Sequence, residues 1–152
     1  MTSLDKIDLD ILRRLQSDGR GTNEAIGLQV NLSQSAVSKR VQALEKQNYI
    51  LAYRAVLNAE KLGLGLTVMT FVSLKTQRKA DLEAFEQAVA AGLPNILECM
   101  RVSGEWDFLL KVAVADQREY GILLDRISAL EQVEHTQSIQ VLAVRSAGTL
   151  PI

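Results

Sequence analysis

Apolar residues recur along the first 46 positions at spacings of three and four, the period of a helix rather than a strand. Leu4, Ile7, Ile11 and Leu15 form one stripe, with Leu12 beside it. Asp5, Asp8 and Asp10 lie early on this segment and Arg13 and Arg14 late, which complements the helix dipole. The spacing predicts a helix over 5–18, stopped near Gly19. Thr22 is placed to cap a second helix over 23–30, although Ala25 replaces the acid that would complete a capping box. Ser33 is placed to cap a third over 34–47. Asn31 and Asn48 fall where left-handed backbone is expected, which Asn tolerates better than most residues with a side chain.

On the third helix Val37, Val41 and Leu44 share a narrow sector. Ser35, Ser38, Lys39, Gln42 and Lys46 fall almost opposite. The apolar sector is predicted to bury against Ile11, Leu15, Ile26, Val30 and Leu32, with Gly27 small where two helices approach closely. Two short helices joined by a tight turn, the second with a face of small polar and basic residues, make a helix-turn-helix pattern. Such a face is often merely solvated. The preceding helix, the turn and the absence of any acid on the outer sector favour DNA. The expected contacts are Gln34, Ser35, Ser38, Lys39, Arg40, Gln42 and Lys46, with Arg54 beyond the helix. Gln42 suits adenine, and the serines and lysines suit bases or phosphates. Arg40 lies between the sectors, either to clamp a phosphate or to brace the fold through a carboxylate.

The period then changes. Residues 49–57, YILAYRAVL, are β-like and predict a short arm; 58–65 carry two glycines and predict a hinge. Residues 66–152 alternate as strand, helix, strand, strand, helix, strand, the last strand drawn over 133–146. Leu82, Phe85 and Val89 mark the first of these helices, and Tyr120, Leu123, Leu124, Ile127 and Leu130 the second. This β-α-β-β-α-β order is ferredoxin-like, with two helices on one face of a four-stranded antiparallel sheet. The fold class is therefore α+β in two domains, 1–57 and 66–152. Val68, Phe71, Leu110 and Val112 are expected on the uncovered sheet face, which predicts self-association.

Composition narrows the chemistry. The 152 residues carry a net charge of −1, so any nucleic-acid surface is local. Over 33–54, Lys39, Arg40, Lys46 and Arg54 stand against Glu45 alone, a patch of +3. One cysteine and one histidine exclude an intrachain disulfide and the usual four-ligand Cys/His zinc site; no metal or cofactor is expected. Cys99, in an apolar run, is expected to be a small core residue, and His135 a surface or interface side chain. No apolar leader and no continuous apolar run of membrane-spanning length is present, so a cytoplasmic, nucleoid-associated setting is the expectation. No nucleophile–base pair points to an enzyme.

The segments LDKIDLDILRRLQSDGR, LSQSAVSKRVQALEKQNYI and VSGEWDFLLKV resemble the Lrp/AsnC group, the feast/famine transcriptional regulators, in the right order and over nearly the whole chain. The resemblance implies an N-terminal winged helix-turn-helix and a C-terminal RAM domain. It implies homodimers joined through RAM sheets, assembling into tetramers, octamers or higher rings; a symmetric dimer would present two recognition helices to a pseudo-palindromic double-stranded DNA site. It also implies a small effector, usually an amino acid, bound between dimers. Carried onto this sequence, the effector loop falls on Ser103, Gly104, Glu105, Trp106 and Asp107, and the facing segment on Thr136 and Ser138, with Met100 and Asp116 as further candidates. Hydroxyls and backbone N–H groups suit an amino acid's carboxylate, and carboxylates suit its ammonium.

Some positions depart from the family. Asn31 and Asn48 replace glycines, Gly21 replaces an apolar residue, and Glu105-Trp106 stands in a motif more often Gly-Asp-Tyr/Phe-Asp. A DNA-bending protein without effector response is the alternative. A sirohaem-type decarboxylase shares the architecture, but His135 is the only histidine that could serve it.

Overall fold

The computed structural model describes residues 4–144 and 148–152. They form two compact units. The first runs up to Val56 and includes the segment 148–152; the second begins at Leu57.

Three helices build the first unit: α1 (Lys6–Ser17), α2 (Asn23–Val30) and α3 (Gln34–Lys46). Each is capped by its own sequence. Asp5 accepts from the Asp8 N–H while the Asp8 side chain accepts from the Asp5 N–H, a reciprocal capping box. Thr22 and Ser33 cap α2 and α3 as expected, each accepting an N3 amide. Asn31 (φ 55°) and Asn48 (φ 59°) both adopt left-handed backbone, so they serve the turns a glycine would.

Ile11, Ile26, Val37, Val41 and Leu44 are buried together, with Leu15, Val30 and Leu32 packed around them, the core the helical spacing predicts. At Gly27 a Cβ would lie 2.5 Å from the Leu32 carbonyl oxygen, so the close approach needs glycine. The Leu32 N–H donates to the Gly27 carbonyl at 2.9 Å across this turn.

The expected β arm is not a strand. Residues 51–57 are exposed and have no assigned secondary structure. β-like composition makes a strand only where a ladder partner lies alongside. The segment 148–152 lies against α1. The Leu150 N–H donates to Gln16 Oε1 (2.8 Å), Gln16 Nε2 donates to the Leu150 carbonyl (3.1 Å), and Arg13 Nε donates to the Ile152 carbonyl (2.5 Å).

After a single 3₁₀ turn (Glu60–Leu62) the second unit follows the predicted order: β1 (Leu66–Leu74), α4 (Lys79–Gly92), β2 (Ile96–Arg101), β3 (Phe108–Val114), α5 (Gln117–Ser128) and β4 (Val133–Gln140). The sheet is antiparallel, ordered β2-β3-β1-β4. β4 ends earlier than expected; Arg145 and Ser146 of the predicted strand lie outside the described residues.

Val68, Leu110 and Val112 are not on the uncovered face. They are buried with Phe85, Val89, Leu123 and Ile127 of the two helices. Strict alternation along β1 buries Leu66, Val68, Thr70, Val72 and Leu74 and turns Met69 and Phe71 outward. Register places Leu109 and Ile139 beside them on the outer face. Which parity faces the helices is set by the helices' docking, and that was misjudged for three of the four residues. Cys99 is a second correction. It is exposed, because β2 is an edge strand with little cover. Partial desolvation, and then the Glu86 carboxylate, push its thiol up.

Candidate nucleic-acid interface and effector loop

Helix α3 buries Val37, Val41 and Leu44 and leaves Gln34, Ser35, Lys39, Gln42 and Lys46 exposed, with Ser38 half-buried between them. The 3.6-residue repeat does this unaided, since the buried trio fixes which side points out. Ser33 and Ser35 hydroxyls lie 3.1 Å apart at the helix start. Arg54 is exposed on the segment after the helix.

Arg40 is committed elsewhere. Its Nη1 donates at 2.7 Å to Asp5 Oδ2 and at 2.7 Å to Asp8 Oδ1. The capping box of α1 therefore doubles as an anion pair that holds α3. The motif D-x-x-D ahead of an apolar run carries the capping signal, but nothing in one dimension shows that both carboxylates face Arg40. The Asp8 backbone N–H, and after it the Arg40 guanidinium, hold the Asp5 carboxyl below the usual carboxylate range. Asp8 first and Asp5 second tighten Arg40's hold on its proton.

A lowered folded-state pKa contributes stability above the unfolded value, lost as pH falls through the folded one. Chemical denaturation of the first unit is accordingly expected to be flat in pH above the ordinary carboxylate range and to decline below it. Asp5→Asn is expected to be less stable near neutrality and to flatten that acid decline; an unchanged decline would remove Asp5 from the brace. Tyr53 closes the other end of α3, its hydroxyl donating to Glu45 Oε1 at 3.0 Å. Burial, then Glu45, push that phenol up.

In the second unit the loop between β2 and β3 is pinned at one residue. Asp107 is buried, and its Oδ2 accepts from the Leu74 N–H at 2.7 Å. Its own N–H donates to the Val72 carbonyl at 3.0 Å, and its carbonyl accepts from the Val102 N–H at 3.0 Å. Two bonds thus fasten the loop to the end of β1, and the third closes the loop on itself. Ser103, Gly104 and Glu105 remain exposed, with Gly104 at φ 120°, a left-handed region that favours glycine. Trp106 turns to the outer sheet face, its ring 5.9 Å from that of Phe71.

The candidate effector residues do not all gather there. Thr136 pairs with Val72, and Phe108 pairs with the same residue from the other side, so β1 lies between Thr136 and the loop. Ser138 pairs with buried Thr70 on the helix-facing side. Tyr120 of α5 bridges the Ser138 and Thr70 hydroxyls. Met100, on β2, pairs with Leu109 of β3. Asp116 stands at the opposite end of β3, roughly 20 Å of extended strand from the loop, and caps α5 by accepting the Glu119 N–H. His135 is exposed, as expected. Among the described residues no three His, Cys, Asp or Glu side chains group as a metal site, and no helix is long and apolar enough to cross a membrane.

Comparison with known proteins assigns both units. Residues 67–149 match the model of the Lrp/AsnC ligand binding domain, and residues 4–45 that of the AsnC-type helix-turn-helix domain. The chain belongs to the Lrp/AsnC family of transcriptional regulators. It is similar to the proline dehydrogenase transcriptional activator of Rhizobium radiobacter, 37% identical over 95% of this chain and 94% of that one. It is also similar to the leucine-responsive regulatory protein of Haemophilus influenzae, 43% identical over 80% of this chain and 73% of that one.

A transcriptional regulator of Neisseria meningitidis solved as a complex with L-Met superimposes with a TM-score of 0.90 at 34% identity, covering 98% of this chain and 97% of that one. A feast or famine regulatory protein of M. tuberculosis complexed with L-methionine gives a TM-score of 0.85 at 30% identity, over 95% and 96% of the two chains. Lrp/AsnC membership makes the chain a DNA-binding transcription regulator and not an enzyme.

Proposed function

We propose that this Lrp/AsnC regulator reads a pseudo-palindromic double-stranded operator as a homodimer or larger ring, and that an amino acid held at the 103–107 loop shifts its assembly or DNA affinity. The observation that carries the reading is the polar face of α3, on which Lys39, Gln42 and Lys46 are exposed while the helix is braced from behind through Arg40. Gln42 and Lys39 would address base edges, and Ser35, Ser38, Lys46 and Arg54 phosphates or bases. Double substitution of Lys39 and Gln42 by Ala is expected to cost about 1–3 kcal/mol per base contact while leaving the fold intact. Unchanged operator affinity in a folded double variant would remove them from the interface.

The effector half rests on a pinned loop with an open tip. Asp107 fixes the loop, Gly104 lets a ligand approach the backbone, and Thr136 stands on β4 with β1 between it and the loop. The two relatives bound to L-methionine support an amino acid as the ligand class. Asp107 serves here as the anchor, and Asp116 as a helix cap rather than a ligand contact. Copies would meet through the outer sheet face around Met69, Phe71, Leu109 and Ile139.

Thermal-shift screening against the twenty amino acids, paired with sedimentation on dilution, tests both halves. A selective ligand at 100 times its Kd is expected to stabilise by about 2.7 kcal/mol. No shift with any amino acid at millimolar concentration would overturn effector binding, and a monomer at micromolar concentration would overturn the dimer.

A further inference from the structure

The first unit carries a surface that, Arg54 at its edge apart, neither DNA reading nor effector binding uses. α1 and the segment 49–54 border a cavity of about 590 Å³, walled by Leu9, Leu12, Leu15, Tyr49 and Tyr53 and closed in part by Leu150 and Ile152. The segment 148–152, Gly-Thr-Leu-Pro-Ile, lies along this cavity, with a tight turn at Pro151 closed by the Ile152 N–H donating to the Leu150 carbonyl at 3.0 Å.

Its polar contacts are of two kinds. The side-chain amide of Gln16 donates to and accepts from the backbone of Leu150, reproducing the paired bonds of a β-ladder from a helix surface. Arg13 Nε binds the Ile152 carbonyl, while Arg13 Nη1 is held by Asp10 one turn earlier. Backbone recognition at fixed points, with the Leu150 and Ile152 side chains set against an apolar groove, is the physics of peptide docking. Pro151 has no N–H, and its fixed φ lowers the ordering cost of the segment.

We propose that α1 and residues 49–54 form a peptide-docking groove whose ligand is the chain's own segment 148–152, acting as a detachable strap on the DNA-reading unit. The chain leaves this unit at Val56, builds the effector unit, and returns to it after β4. α1 carries the groove on one face and Asp5 and Asp8, the brace of the reading helix, at its start. Docking of the strap therefore supports α1, and through α1 the setting of α3. The strap begins eight residues after Gln140, the last residue of β4, so it is covalently coupled to the unit that carries the effector loop.

The test is hydrogen exchange on the full-length protein. The Leu150 amide is expected to be protected, and the variant Leu150→Asp with Ile152→Asp is expected to speed exchange in α1 by about tenfold or more. Gln16→Leu, which keeps apolar bulk and loses both amide bonds, is expected to release the Leu150 amide while the unit stays folded. The synthetic pentapeptide Gly-Thr-Leu-Pro-Ile, added to the double-Asp variant at about the millimolar effective concentration of a short tether, is expected to restore α1 protection. An unprotected Leu150 amide in the unmodified protein, unchanged α1 exchange in the double variant, or no rescue by the peptide would each overturn the groove. Operator affinity in the double-Asp variant reads the strap's effect on α3, and affinity equal to the unmodified protein's would overturn its regulatory role.

Discussion

Gly27→Ala is expected to destabilise the DNA-reading unit by about 3 kcal/mol or more, and the same substitution at Gly121 to stabilise the effector unit by about 0.5–1 kcal/mol. The two glycines differ only in what surrounds them. Both lie in helices, and neither has a positive φ. A methyl at Gly27 would stand 2.5 Å from the Leu32 carbonyl oxygen and 3.5 Å from a Val37 methyl. The first contact is with backbone, which cannot rotate aside. α2 would have to move off the turn that orients α3. At Gly121 a methyl meets nothing within 4 Å, so only the helix-propensity gain remains. For a unit of this size the Gly27 change corresponds to a melting shift of about 10 °C or more. Scanning calorimetry of the two variants reads both signs; a Gly27→Ala protein as stable as the parent would mean that the α2–α3 turn is looser than described.

Asp107→Ala is expected to cost the effector unit about 2–3 kcal/mol, and Asp107→Asn about half of that or less. Alanine leaves the Leu74 N–H buried without an acceptor, which costs more than the loss of an ordinary surface hydrogen bond. Asparagine keeps a carbonyl oxygen in the same place and gives up only the charge. Trp106, the chain's single tryptophan, lies next to Asp107 and against Phe71, so its emission follows the loop directly. Urea titration followed by tryptophan fluorescence gives the stability order. If the alanine and asparagine variants unfold together, the bond to Leu74 is not what holds the loop.

Period was the most legible property of this chain. Three- and four-residue spacing located all five helices, and the caps at Thr22 and Ser33 and the two left-handed asparagines followed from local chemistry. What depended on a neighbour distant in the chain was not legible. The alternation of β1 is plain in Leu66–Leu74, but which parity faces the helices is decided by where α4 and α5 dock. Cys99 reads as core because its sequence neighbours are apolar, and is exposed because β2 lies at the sheet edge. The role of Arg40 was open between phosphate clamp and brace, and two aspartates more than 30 positions earlier favour the brace. Asp107 looks in sequence like an acceptor for a ligand's ammonium, and in the fold one of its oxygens is already taken by Leu74.

The Arg40 brace also changes how DNA binding should respond to salt. Counted along the chain, residues 33–54 carry +3, but Asp5 and Asp8 together more than cancel Arg40 where it stands. With Lys39 turned to base edges, that leaves Lys46 and Arg54 as the exposed cations directed at phosphates. Each phosphate contact releases counterions and contributes about −0.9 to the slope of log affinity against log salt, so one copy supplies a slope of only about −2. Its affinity would survive rising ionic strength better than that of a strongly basic DNA-binding domain, and its grip would be set by base contacts and by the number of copies engaged at once.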